Sequence, residues 1–257
     1  MILSINSLFG LDFSALLGLQ GLFYLVVLSL LEIVLGIDNI IFISIVTAKL
    51  PADKRKYARN IGLTLALIIR LFLLSIVSWI MGMTKPFFYV MEHPFSGQSI
   101  VLLIGGLFLI YKSTIEMHNS VKGHEEGHTA GKKTLSSIIL QIVLIDIVFS
   151  FDSIISAIGM TNGMKQDTGG DPLIIIYLAV IISMVVMLIF SKQISDFIQN
   201  NPTVKMIALG FLVTIGVLLV AEAFGQHIPK GYVYFALTYS LFVEFLNIRM
   251  RKNTKKS

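Results

Sequence analysis

The chain of 257 residues has no cysteine. That excludes a disulfide-stapled fold, thiolate chemistry and every zinc site built on cysteine. Charge is almost as scarce: Asp, Glu, Lys and Arg make up 14% of the residues, against about 25% in a soluble domain. So little charge cannot cover a water-facing surface, which excludes a soluble globular protein and a disordered one. The first residues, Met1-Ile2-Leu3-Ser4-Ile5-Asn6, show neither a basic region nor a cleavage site, so no removable signal peptide is expected. What the chain has instead is apolar sequence: 55% of residues are hydrophobic and the mean hydropathy is +0.84.

That apolar sequence is organised in seven stretches, at 15–48, 61–82, 99–117, 135–160, 172–190, 204–224 and 231–248. Each is long enough, or nearly so, for the ~20 residues that a bilayer crossing needs. The first is too long for one perpendicular helix at about 1.5 Å per residue. It must tilt, break or protrude, and Gly36-Ile37-Asp38-Asn39 is the polar, flexible place to break. The expected fold is an all-α membrane protein, one transmembrane domain over 1–257.

The basic residues set an orientation. Sixteen of the twenty fall on one side: five around 49–59, four from Lys112 to Lys133, Lys192 and Lys205, and five in the tail from Arg249. Only Lys85, Lys165 and Lys230 fall on the other, and Arg70 lies inside the second span. The positive-inside rule then predicts a cytoplasmic C-terminus and an outside N-terminus in a bacterial plasma membrane. It also accounts for the basic pI of about 9.3 by topology, so no nucleic-acid partner is expected.

Two segments repeat. Leu30-Leu31-Glu32-Ile33-Val34-Leu35-Gly36-Ile37-Asp38-Asn39-Ile40-Ile41 aligns with Leu144-Ile145-Asp146-Ile147-Val148-Phe149-Ser150-Phe151-Asp152-Ser153-Ile154-Ile155. Glu32 matches Asp146, and Asp38 matches Asp152. Repeat one then covers 15–117 and repeat two 135–224, with an extra helix at 231–248 and a cytoplasmic loop at 118–134. Three spans per copy is an odd number, so the copies are inverted. Inverted repeats with polar interruptions in corresponding helices are a transporter signature.

The expected topology orders the acids by depth. Glu32 and Asp146 lie near the middle, Asp38 about 9 Å toward the cytoplasm and Asp152 about 9 Å toward the outside, at 1.5 Å per residue. Glu116 and Glu222 would flank the mouths of this ladder, and Glu244 lies near the inner end of the last span. Glu32 and Asp38 point about 120° apart on an ideal helix, whereas Asn39 shares the face of Glu32 and Ser153 that of Asp146. Either the helices deform near Gly36 and Ser150 so that one ion meets both acids, or the acids serve two successive sites.

Intramembrane acids outnumber the one intramembrane base, Arg70, which favours a cation path over a structural ion-pair network. Arg70 itself reads as the structural partner of a carboxylate. The ligands on offer are hard: carboxylates, the Asn39 amide, the Ser150 and Ser153 hydroxyls and backbone carbonyls. Such a set suits Mg²⁺, Ca²⁺ or Mn²⁺, and carboxylates also carry protons. Met81, Met83, Met184 and Met187 read as lipid-facing or packing residues. His124-Glu125-Glu126-Gly127-His128 matches H-E-x-x-H, but that chemistry needs a helix with both His on one face. Here Gly123 and Gly131 bracket a short polar loop, so a solvated linker is expected. A weak metal-sensing loop that includes His118 is the alternative. No prosthetic group and no enzymatic activity are expected.

These residues resemble a known family. The segments from Leu31 to Asn39 and from Asp146 to Ser153 resemble the two signatures of the TerC family of integral membrane proteins. Gly105-Gly106-Leu107-Phe108-Leu109-Ile110-Tyr111-Lys112, followed by Glu116 and His118, resembles the end of its first half. His227-Ile228-Pro229-Lys230-Gly231-Tyr232-Val233-Tyr234-Phe235-Ala236 resembles the link into its last span. Gly36 departs from the Ser or Ala often found there, which removes a hydroxyl from the first copy. The resemblance implies seven spans, an inverted repeat and cation transport, with Mn²⁺ as the exported substrate by analogy with Alx-like bacterial members. It implies Glu32, Asp38, Asp146 and Asp152 as ion-binding acids, with Asn39 and Ser153 as neutral helpers. The rival readings are an amino-acid exporter of the LysE type, which would need a partner for the substrate carboxylate, and a non-transporting scaffold.

Overall fold

The computed structural model describes residues 16, 18–76, 86–90, 93–122, 134–159, 164, 167, 172–226 and 228–254. Its elements are α1 (Leu19–Leu35), α2 (Ile37–Thr47), α3 (Ala52–Ser75), β1 (Pro86–Val90), β2 (His93–Ser96), α4 (Gly97–Lys122), α5 (Leu135–Gly159), α6 (Leu173–Asn200), α7 (Pro202–Ala223) and α8 (Gly231–Thr254). This is an all-α membrane protein with one short hairpin. Among the described residues, six helical stretches are long and apolar enough to cross a membrane, α1 and α2 counting together as 29 residues. Within α5, Leu135–Phe151 forms a shorter apolar helix. Together they correspond to the seven expected spans.

The helix ends differ from the hydropathy windows. Helix α3 begins at Ala52 behind Pro51 and takes Lys54, Arg55, Lys56 and Arg59 into its first turns. Helix α6 continues past 190 to Asn200, and α8 past 248 to Thr254. Hydropathy falls where charge begins, but Lys, Arg and Gln are good helix formers, so the backbone continues beyond the apolar stretch.

The hairpin was not anticipated. Tyr89 pairs with Pro94 and Val90 with His93, and the register shifts between Pro86 and Phe88. The aromatic run Pro86-Phe87-Phe88-Tyr89-Val90 has high strand propensity. Strand β2 runs directly into α4. Ser96 caps that helix, its Oγ accepting the Ser99 N–H at 3.2 Å. Phe95 packs edge-on against Phe224, just past α7, with ring centroids 5.3 Å apart.

Three helix pairings dominate: α4 against α7, α1 against α6, and α3 against α5. Lipid tails offer helices no hydrophobic drive to associate, so close backbone approach through small residues is what holds them. Helices α4 and α7 meet this way. A Cβ on Gly106 would lie 2.7 Å from the Gly216 carbonyl oxygen, and one on Gly216 would lie 2.9 Å from that of Gly106. The aliphatic core includes Ile40, Ile142, Leu109 and Leu212, and a second cluster gathers Leu28, Leu74, Ile154 and Ile174. The outward faces carry exposed Phe72, Ile104, Tyr111, Ile189 and Phe242, as a protein whose solvent is lipid requires.

Gly216→Ala should therefore destabilise the detergent-solubilised protein by about 1–3 kcal/mol, the usual range for overpacking. Gly210→Ala on the same helix, where a Cβ meets nothing within 4 Å, should not. Thermal melts of the two variants beside wild type check this, and equal melting temperatures would contradict the close crossing.

Candidate functional site

The site begins at a one-residue interruption. Gly36 separates α1 from α2 while keeping a helical backbone (φ −90°, ψ −1°). Its N–H reaches the Glu32 and Ile33 carbonyls at 2.9 and 3.2 Å, so the helix is loosened and not unwound. Met187 of α6 occupies the space beside it: a Cβ at 36 would lie 2.4 Å from the Met187 Sδ. Met184 and Met187 are buried and so are packing residues, while Met81 and Met83 lie outside the described residues. Past the interruption, the Asp38 Oδ1 accepts the Asn39 N–H at 2.9 Å. The carboxylate thus sits in the first turn of α2, where the helix dipole favours an anion. Helix α5 is continuous through Ser150, so of the two places where deformation was considered only Gly36 deforms.

Arg70 of α3 is at the centre. Its Nη1 donates to Glu32 Oε2 at 2.7 Å and its Nε to Ser150 Oγ at 3.0 Å. Its Nη2 lies 3.7 Å from Asp146 Oδ1. Ser150 Oγ passes the interaction on, donating to Asp146 Oδ2 at 3.2 Å. Asn39 Nδ2 donates to the other oxygen, Asp146 Oδ1, at 3.2 Å. Glu32, Asp38, Asn39, Arg70, Asp146 and Ser150 are all buried, and the guanidinium lies in the field of three carboxylates, Glu32, Asp146 and Asp38. One polar atom is left over: Asn39 Oδ1 is buried with no hydrogen-bond donor.

Asp38 also lines a second space. It shares a constricted cavity of about 10 Å³ with Phe149 and Ser153 of α5, Leu219 of α7, Lys230 and Tyr234. That is about the least space that holds a single water. Ser153 is buried and donates to the Ser150 carbonyl at 3.3 Å. Asp152 lies on α5, but its side chain is outside the described residues.

The structure groups these side chains in pairs. Glu32 and Asp146 share one arginine, and Asp38 and Ser153 share one cavity, so the groups gather. At ~1.5 Å per residue, the 29 residues of α1 and α2 exceed the ~30 Å hydrocarbon core. A stretch of that length must tilt, break or protrude, and the structure interrupts it at Gly36. Among the described residues, no three Asp, Glu or His side chains converge at metal-ligand spacing. Arg70 stands where a cation between Glu32 and Asp146 would stand.

The outlying acids have other partners. Glu116 of α4 is ion-paired with Lys49. Glu222 of α7 lies 3.5 Å from the Lys230 ammonium. Glu244 of α8 accepts from Thr203 at the opposite end of α7 and from Asn247, which docks α8. His118 is exposed on α4, and the segment 124–128 lies outside the described residues. Lys49 and Lys230 were not anticipated as site residues. Lys230 did carry a signal: it is one of only three basic residues on its side of the expected topology, at the head of a span.

Geometry and composition together define an integral membrane protein with an acid-rich polar cluster in its helical core. The chain belongs to the integral membrane protein TerC family, whose model matches residues 17–257. It is 46% identical over 227 residues to the inner membrane protein YgdQ of Escherichia coli, covering 88% of this chain and 92% of that one. It is 46% identical over 233 residues to a UPF0053 protein of Haemophilus influenzae, covering 90% and 94%. The inner membrane protein YoaE of Escherichia coli is also 46% identical over 231 residues, which are 89% of this chain and 43% of that longer protein. No solved structure matches the chain.

Removing one partner of a buried ion pair costs about 3–5 kcal/mol, because the other charge is left uncompensated. Arg70→Leu should therefore destabilise the protein by that amount, and Arg70→Leu with Glu32→Gln should recover much of it. A double-mutant cycle on unfolding free energies measures the coupling, and additive losses would remove Arg70 from the centre of the site.

Proposed function

We propose that the chain transports a divalent metal cation across a bacterial plasma membrane, and that the substrate is Mn²⁺, exported from the cytoplasm. The observation that carries this reading is the orphaned Asn39 Oδ1, a buried hard oxygen next to Asp38 and hydrogen-bonded through its amide to Asp146. A buried acceptor without a donor is costly, and a bound cation would satisfy it. The excess of buried carboxylate over guanidinium supports the same sign of ligand. Oxygen donors suit a hard divalent ion. The choice of Mn²⁺, and of export, follows the family resemblance.

In this reading Glu32, Ser150 and Asp146 hold Arg70, while Asp38, Asn39, Asp152 and Ser153 carry the ion. Helix packing supports two inverted copies. Exchanging α1–α2 with α5, α3 with α6 and α4 with α7 turns the α1–α6 pairing into the α5–α3 pairing, and returns the α4–α7 pairing to itself. Alternating access then moves one copy against the other, driven by protons or by the membrane potential. The amino-acid exporter loses support because Arg70, the partner it would offer a substrate carboxylate, is engaged by Glu32.

Two measurements test the proposal. Proteoliposomes with wild-type protein should show saturable Mn²⁺ flux, and Asp38→Asn should lower it at least tenfold with the protein still folded. Equal flux in the mutant would remove Asp38 from the path, and no flux of Mn²⁺, Ca²⁺ or Mg²⁺ from folded wild type would favour a scaffold. For orientation, a C-terminal green-fluorescent fusion should fluoresce and a C-terminal alkaline phosphatase fusion should be inactive. The reverse pair would overturn the cytoplasmic C-terminus.

A further inference from the structure

Arg70 and Lys230 both lie beside the acids around Gly36, and they are built differently. Arg70 is fully buried and held at three points by Glu32, Ser150 and Asp146. Lys230 is a fifth exposed, on a flexible stem, at the rim of the Asp38 cavity. A guanidinium fork fixed at several points is a permanent counter-ion, whereas an ammonium is a mobile point charge.

The backbone brings Lys230 there. Helix α7 ends in a paired turn: Gly225 takes the left-handed conformation (φ 75°), Gln226 N–H donates to the Ala221 carbonyl and Gly225 N–H to that of Glu222. This is the usual glycine-terminated helix stop. It leaves Glu222 in the last turn and sends the chain back through Pro229 to Lys230. The Lys230 carbonyl then accepts the Val233 and Tyr234 N–H groups at 3.0 Å and opens α8. A lysine at a helix N-terminus opposes the helix dipole. Helix stability therefore does not explain a cation at this position. Its surroundings do: Glu222 lies 3.5 Å away on one side, and the cavity lined by Asp38, Ser153 and Tyr234 lies on the other.

We propose that the Lys230 ammonium is a tethered competitor for the transported divalent cation, filling the mouth of the Asp38–Ser153 cavity when no metal is there. This rests on the cation-transport reading of the same site. An arriving divalent ion brings twice the charge to Asp38 and displaces the ammonium, which stays ion-paired with Glu222. On release of the ion the lysine returns, so the emptied cavity is never an uncompensated anion in a low-dielectric core. Lys230 thereby weakens binding and speeds release, and it sets a threshold below which the site stays closed.

Two variants should move affinity in opposite directions. Lys230→Met removes the competitor. It should tighten Mn²⁺ binding to the purified full-length protein roughly tenfold, the factor for a site that is competent in about one molecule in ten. In proteoliposomes its KM should fall while maximal flux does not rise. Glu222→Gln removes the alternative seat, leaves the ammonium to Asp38, and should weaken Mn²⁺ binding several-fold. Titration calorimetry with MnCl₂ reads both, with melting temperatures confirming folded protein. Unchanged or weaker binding in K230M, with saturable wild-type binding lost in D38N, would overturn the role of Lys230 and leave the transport reading standing. Absence of Mn²⁺ binding in both wild type and K230M would overturn the transport reading, and this inference with it.

Discussion

An arginine in the helical core decides how this membrane protein can carry acids there. A carboxylate in a low-dielectric interior is tolerated only with a nearby counter-charge and hydrogen bonds for its oxygens. Arg70 supplies both to two acids at once, reaching Glu32 on α1 and, directly and through Ser150, Asp146 on α5. One side chain from α3 thus ties together helices whose apolar surfaces have no reason to prefer one another over lipid. The pairing of α3 with α5 and the seating of α1 both meet at this residue. Glu32 and Asp146 contact Arg70 directly, while Asp38 lies just beyond the Gly36 interruption and lines a separate cavity with Ser153.

The interruption works together with its neighbours. Gly36 loosens the helix by one residue, Met187 fills the space a side chain would have taken, and Asp38 turns back to its own backbone at the start of α2. Asn39 then has one amide end bound to Asp146 and the other facing no donor. The amide is thus satisfied at its nitrogen and unsatisfied at its oxygen. The second copy of the motif uses different means. Ser150 stands where Gly36 does, its helix stays continuous, and its hydroxyl joins Arg70 to Asp146. Two segments of similar sequence therefore contribute unequal parts.

Much of this was legible along the chain. The span count, the deep acids and the motif at Gly36 are visible because a bilayer imposes a length of apolar sequence and makes each intramembrane charge conspicuous. Arg70 was legible as a structural partner for the same reason. The helix ends at Ala52 and Asn200 were not, because hydropathy reports the solvent a residue prefers and not where its backbone stops being helical. The hairpin at 86–96 was hidden between spans, where no periodicity separates a strand from a loop.

The sequence alone determined the membrane class, the number of apolar spans and the identity of the polar residues that must be accommodated inside them. Each of these is a property of a residue and its near neighbours in the chain. Tertiary structure decided the partnerships: that Arg70 takes Glu32 and Asp146, that Asp38 faces Ser153 across one cavity, and that Lys230 reaches that cavity from the head of the last helix. The energy of a charge depends on what lies within a few ångströms of it in space. Helix packing brings together side chains far apart along the sequence, as it does Arg70 with Glu32 and Asp146.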